Sequence, residues 1–206
     1  NKKLKYICNH HEQASVMAAE GYQRATGNIG VALVTTGPAA TNTLTGILCS
    51  WNDSIPLLVL SGQANSKFLI KDTLLRQRGV HEVDIVKIVK SVTKYAVTIL
   101  DENNVKYELE KALYMAKSGR PGPVLLDIPI DIQSKEINIE TLLGFEEPDI
   151  QLDSFKINNQ IIDLALALQQ SKRPVILAGH GIRLSGQIDN FFNFCNRFNI
   201  PIVTTK

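Results

Sequence analysis

Two short segments near the front of the chain hold the residue types most able to do chemistry. Glu12 lies in His11-Glu12-Gln13, and Asn42 closes Thr36-Gly37-Pro38-Ala39-Ala40-Thr41-Asn42. Glu12 heads a run rich in small helix formers, with Ala14, Ala18 and Ala19 behind it. A crowded apolar setting penalises the charged form of a carboxylate and raises its pKa, so Glu12 is expected to hold and share a proton. The same position also suits a structural acid at a helix N-terminus, favoured by the macrodipole. Gly37 and Pro38 stand at a turn after an apolar run, where a ligand can approach the backbone and a following helix offers free N–H groups. Asn42 can donate or accept at the same edge, and an ordinary strand-to-helix turn would look alike. Gln63, in Ser61-Gly62-Gln63, ends another apolar run. An amide there steers a polar substrate without charge, or is simply satisfied within a turn.

Other chemistries lack their residues. There is no GxGxxG and no GxxxxGK[ST] phosphate loop, and no Gly-x-Ser-x-Gly nucleophile elbow. Gly179-His180-Gly181 is half of a dinucleotide turn, without an acidic ribose partner about 20 residues on. Cys8, Cys49 and Cys195 are widely spaced and odd in number, which supports neither a zinc site nor a disulfide framework. His10 and His11 are adjacent, so their side chains diverge and do not form a metal pair. A net charge of +2, with Lys2, Lys3 and Lys5 as its one basic cluster, argues for neither nucleic acid nor a membrane surface. No apolar run reaches the roughly 18 residues of a membrane span.

The elements that must carry these residues alternate. Strands are predicted over 4–8, 29–35, 57–61 and 124–128, and helices over 12–25, 41–50 and 103–118. Residues 65–80 read as loop with a helical turn, and 84–89 and 92–98 as short elements. The run Ile-Gly-Val-Ala-Leu-Val-Thr at 29–35 is apolar throughout, the mark of a strand buried on both faces. Strands and helices alternating at this rhythm predict an α/β fold, a parallel sheet flanked by helices. A polar, acidic stretch over 134–157 reads as a linker between a domain at 1–133 and the beginning of a second α/β domain at 158–206. The second part holds a helix over 159–170, a strand over 173–178, a helix over 187–198 and a strand over 200–204. A start on Asn1-Lys2-Lys3 without Met suggests a piece of a longer protein.

Taken jointly, five segments resemble thiamine-diphosphate enzymes of the acetolactate synthase (acetohydroxyacid synthase) large-subunit family. They are His11-Glu12-Gln13, Ala18-Ala19-Glu20-Gly21-Tyr22-Gln23-Arg24-Ala25-Thr26-Gly27, the Thr36 to Asn42 turn, Ser61-Gly62-Gln63, and Ser118-Gly119-Arg120-Pro121-Gly122-Pro123-Val124. They keep the family's order and spacing, and Ala178-Gly179-His180-Gly181 resembles the start of its central domain. The resemblance implies a pyrimidine-binding domain lacking its first strand and helix, then a truncated central domain.

It also implies roles. Glu12 would hydrogen-bond N1′ of the aminopyrimidine of thiamine diphosphate and act as a catalytic residue together with Gln63, which would face the reacting centre. Gly37, Pro38 and Asn42 would line the pyrimidine turn. Arg120 would contact flavin (FAD) in the members that carry it. The implied reaction decarboxylates a 2-oxo acid such as pyruvate and ligates the resulting enamine to a second carbonyl, as in branched-chain amino acid biosynthesis. Mg2+ would be bound outside this fragment, since no Gly-Asp-Gly with a later Asn-Asn is present. The implied state is a cytoplasmic homo-oligomer, at least a dimer, with an inactive isolated fragment and no nucleic-acid or membrane partner. Ala39 replaces the family's usual Gly, and 71–84 lacks its Phe-Gln-Glu triplet. A decarboxylase or lyase of the same family with another substrate fits as well, and a non-catalytic α/β assembly module is the reading from another class.

Overall fold

Helix α1 (Glu12–Thr26) starts where His11 is extended and its Nδ1 accepts the Gln13 N–H at 3.2 Å. It stops at Gly27, whose φ of 76° ends the helix in the left-handed conformation that glycine adopts without strain. A short return leads into β1 (Gly30–Val34). The turn at Gly37 then opens α2 (Pro38–Thr41), with proline at its first position, followed by α3 (Leu44–Asn52). The single helix predicted over 41–50 is thus two. Next come β2 (Leu57–Gln63), α4 (Ile85–Val89), β3 (Tyr95–Thr98), α5 (Val105–Lys117), β4 (Pro123–Pro129) and α6 (Ile130–Gln133). The computed structural model describes residues 5–70, 74–149 and 153–205.

The four strands form one parallel sheet in the order β1-β2-β4-β3. Helices pack on each face. On one, Val16 and Ala19 of α1, Ile47 of α3, and Ile85 and Val89 of α4 close on Ala32, Val34, Val59 and Leu125. On the other, Ala112 and Ala116 of α5 and Ile132 of α6 close on Leu58, Val124 and Leu126. The predicted α/β architecture is what forms.

Two local expectations fail. Residues 5–8 form no strand (Leu4 lies outside the described residues), and Tyr6 and Ile7 are 80% and 87% exposed. An apolar run needs a neighbouring strand to complete its hydrogen bonds, and among the described residues none pairs with this one. The strand at 29–35 is not buried on both faces either. β1 is an edge strand whose inward residues pack under α1, while Val31 and Leu33 on its other face are 54% and 74% exposed.

The acidic stretch after β4 packs back onto α5. Phe145 lies against the rings of Tyr107 and Tyr114, and its N–H donates to Glu110 Oε2 at 2.8 Å. The chain divides into two compact units after Glu147. In the second, α7 (Ser154–Gln170) precedes β5 (Ile176–Ala178), α8 (Gly181–Leu184), α9 (Ile188–Phe198) and β6 (Ile202–Thr204). β5 and β6 pair in parallel, with Ile176 opposite Ile202.

Of the glycines, Gly30 leaves the least room, where β1 meets α1. A Cβ built on Gly30 would fall 1.9 Å from the Ala19 carbonyl oxygen and 2.5 Å from its carbon. Backbone on both sides cannot yield as a flexible side chain could. Gly30→Ala is therefore expected to lower stability by at least about 1–3 kcal/mol, read as a drop in the urea midpoint at unchanged slope.

Candidate functional site at the carboxyl edge of the sheet

Parallel strands send their carboxyl ends to one edge, and open α/β sheets bind ligands there. β1 delivers Thr36 and the Gly37 turn to this edge, β2 delivers Gln63, β3 Thr98 and β4 Asp127. Because α1 runs back to the start of β1, its N-terminus and Glu12 return to the same edge. Asn42, just beyond α2, donates its Nδ2–H to Glu12 Oε2 at 3.0 Å. Glu12, Gly37, Pro38, Asn42 and Gln63 are thus gathered at one end. Arg120 is not among them. It precedes β4 at the amino edge, where its Nε donates to Ser54 Oγ at 2.7 Å and its Nη2 reaches the Asn52 carbonyl at 3.5 Å.

Glu12 differs from expectation in its electrostatics. The Asn42 amide, then its own backbone N–H, hold its carboxyl below the ordinary value of 4.5. The apolar neighbours that were expected to raise it do not cover the carboxylate, because Val16 and Ala19 turn inward while Ala14 and Ala18 stay exposed. Hydrogen bonds to the charged form outweigh desolvation. Among the described residues, no other side chain bonds Glu12.

Gly37, at φ 66°, needs glycine for a second reason. A Cβ there would meet the His81 carbonyl oxygen at 2.4 Å. The space left by its missing side chain is filled by the loop 79–84, not by open room. His81 itself takes a positive φ of 56° to make this approach.

Gln63 is buried and uses both ends of its amide. Nε2 donates to the Val83 carbonyl and to Asp127 Oδ2, both at 2.9 Å. Oε1 accepts from Thr36 Oγ1 at 2.7 Å and from the Ala64 N–H at 2.8 Å. Asp131 at the head of α6 ties the same edge together, taking the Ser66 N–H at 2.8 Å and its hydroxyl at 2.5 Å, which lowers its pKa.

Asp127 is the residue that motif reading passed over. It is 1% exposed, and burial pushes its carboxyl up to about 6 against the hydrogen bonds it accepts. Strand alternation does contain the signal. On the face toward α1 and α4, inward positions read Val34 then Thr36, Val59 then Ser61 and Gln63, Ala96 then Thr98, and Leu125 then Asp127. Apolar turns to polar at one level in β2, β4 and β3, and one step later in β1, whose Val34 still stands opposite Ser61. Among the described residues, no group of three or more His, Cys, Asp or Glu could hold a metal ion, and no helix is long and apolar enough to cross a membrane.

The family described as thiamine pyrophosphate enzyme, N-terminal TPP binding domain, matches residues 1–88, and the thiamine pyrophosphate enzyme central domain matches 161–206. The acetolactate synthase large subunit of Lactococcus lactis is 37% identical over 202 residues, covering 98% of this chain and 34% of the relative. That of Haemophilus influenzae is 34% identical over 208 residues, covering 98% and 35%. The isozyme 3 large subunit of Escherichia coli is 35% identical over 206 residues, covering 97% and 34%. The chain therefore spans about a third of the length of these curated relatives.

A group whose folded pKa lies above its unfolded value binds its proton more tightly when folded. The stability Asp127 contributes is then complete below about pH 4 and lost as pH rises through about 6. The rise from 3.8 to about 6 corresponds to roughly 3 kcal/mol. Asp127→Asn should gain on the wild type by up to about that amount between about pH 4 and pH 7. Urea unfolding of both proteins across this range checks it.

Proposed function

Because the chain belongs to the thiamine pyrophosphate enzymes, we propose that it is the pyrimidine-side part of an acetolactate synthase-like enzyme, together with the start of its central domain. The division is read as 1–133 and 158–206, joined through 134–157. The observation that carries this reading is the Glu12–Asn42 pair at the carboxyl edge, beside the turn at Gly37 and Pro38. The donor set fits an aminopyrimidine. One carboxylate oxygen takes the Asn42 amide, and the other is left for a ring N–H.

A carboxylate held below its ordinary pKa is ionised at neutral pH and acts as an acceptor. Facing a ring nitrogen, it favours a proton on that nitrogen; cofactor seated over it would remove water and strengthen the pair. Thiamine diphosphate supplies the electron sink that lets a 2-oxo acid lose carbon dioxide and its remnant join a second carbonyl. The chain's residues orient the ring: Asn42 fixes the Glu12 carboxylate, and Pro38 stiffens the turn beside it. In this reading Gln63 serves catalysis from within the edge.

The diphosphate and Mg2+ are assigned to residues beyond this stretch, in keeping with relatives about three times its length. A flavin at Arg120 would sit at the amino edge, away from Glu12. The whole enzyme is read as a cytoplasmic homo-oligomer acting on a 2-oxo acid.

In the full-length enzyme, Glu12→Gln should reduce kcat roughly 10²–10⁴-fold, the range for loss of a positioned proton-sharing group. Acetolactate formation from pyruvate is the assay. Near-wild-type turnover would eliminate Glu12 as the cofactor's partner, and a folded, cofactor-free wild type would eliminate the cofactor. The isolated chain is expected to form no acetolactate.

A further inference from the structure

The proposed chemistry leaves one buried acid unused. Asp127 pairs in register with Ser61 on β2 and Thr98 on β3. Its Oδ2 accepts from Gln63 Nε2 at 2.9 Å and Thr98 Oγ1 at 3.2 Å. Its Oδ1 is buried and makes no well-formed hydrogen bond among the described residues, although the neighbouring Ser61 hydroxyl also favours the charged form. A half-satisfied buried carboxylate destabilises a fold, and a neutral side chain of similar size would fill the same position at lower cost. Holding the sheet together does not account for it.

Its hydrogen bonds indicate what does. Oδ2 of Asp127 and the Val83 carbonyl are both acceptors, so Gln63 must turn its NH₂ toward them and its Oε1 away. Oε1 then accepts the one Thr36 hydroxyl proton at 2.7 Å, with the His81 carbonyl 3.3 Å from the same hydroxyl oxygen. Thr36 leads into the Gly37 turn and on to Asn42; His81 and Val83 belong to the loop 79–84. The acid's orientation of one amide is thus passed to two separate segments. These segments already touch where the His81 carbonyl fills the Cβ space of Gly37. Asp84, at the head of α4, is the charged group acting on Asp127, while β2 and β3 face it with the neutral Ser61, Gln63 and Thr98.

We propose that Asp127 is a positioning residue of the cofactor site, locking the turn 36–38 and the loop 79–84 together through the Gln63 amide so that Asn42 and Glu12 are presented in place. The inference rests on reading this edge as the thiamine diphosphate site, and its test separates the two.

The test uses the full-length enzyme as wild type, Asp127→Asn and Asp127→Leu. Asn keeps an acceptor oxygen for Gln63, and Leu keeps only the volume. Without cofactor, amide hydrogen exchange in 36–42 and 79–84 should accelerate about tenfold in Asp127→Leu and stay within about twofold of wild type in Asp127→Asn. Titration with thiamine diphosphate, followed by intrinsic fluorescence, should show a dissociation constant about tenfold higher for Leu and near wild type for Asn. Unchanged exchange in the Leu variant, or uniform loosening of the whole sheet by both variants, overturns the positioning role. Should the wild type fail to bind thiamine diphosphate, the functional reading falls alone, and the exchange data still decide the inference. Should Asp127→Leu not fold, the remaining pair decides. Exchange in the two segments, corrected for its intrinsic pH dependence, should show a step near pH 6 in wild type that is absent in Asp127→Asn. The same step in both proteins overturns the role.

Discussion

The parallel register of β1, β2, β4 and β3 is the constraint from which the rest of the first unit follows. It brings four strand ends to one edge and sets Ser61, Asp127 and Thr98 in a single row, one level beyond the apolar row of Val59, Leu125 and Ala96. Below that boundary the face toward α1 and α4 is ordinary core. Above it, the inward positions of β2, β4 and β3 are polar, with Val34 of β1 beside them, and every polar group there needs a partner that the apolar interior cannot supply. The hydrogen bonds from Asp127 through Gln63 to Thr36, Val83 and His81 are the consequence.

That boundary divides the site into two environments with opposite electrostatics. Asp127 is enclosed, and burial raises its pKa. Glu12 is at the rim, and the Asn42 amide lowers its pKa. Two carboxylates at one edge are thereby given different protonation behaviour by position alone. The rim acid is free to meet a ligand, whereas the inner acid is committed to the protein's own amides. Gln63 joins the inner acid to the turn, its oxygen toward Thr36 and its nitrogen toward Asp127 and Val83.

The glycines make the same point about backbone packing. Gly30 admits the Ala19 carbonyl, which brings α1 onto β1 closely enough for the N-terminus of α1 to return to the carboxyl edge. Gly37 admits the His81 carbonyl, which seats the loop 79–84 against the turn. Neither serves as mere flexibility. Each is a position where backbone from another segment occupies the volume of a side chain. Arg120, by contrast, stays at the amino edge with Ser54 and Asn52, and belongs to the packing of that end.

The alternation of apolar runs with helical stretches was enough to determine a parallel α/β sheet, because both-face burial and period-3.6 helices leave few other arrangements. Glu12, Asn42 and the Gly37 turn were legible too, since local spacing around strand ends is a property of the chain itself. Three things were not. The run 5–8 carries strand composition without a partner, and β1 reads as fully buried although one face is open, because neighbours are a tertiary property. The direction of the Glu12 pKa depended on which alanines of α1 turn inward and on an amide thirty positions away in sequence. The role of Asp127 was hidden for the same reason: alternation puts it on an inward face, but only the register across three strands places Ser61, Gln63 and Thr98 around it. Sequence settled which groups reach the edge; burial and long-range pairing settled which of them face water and which are bound to one another.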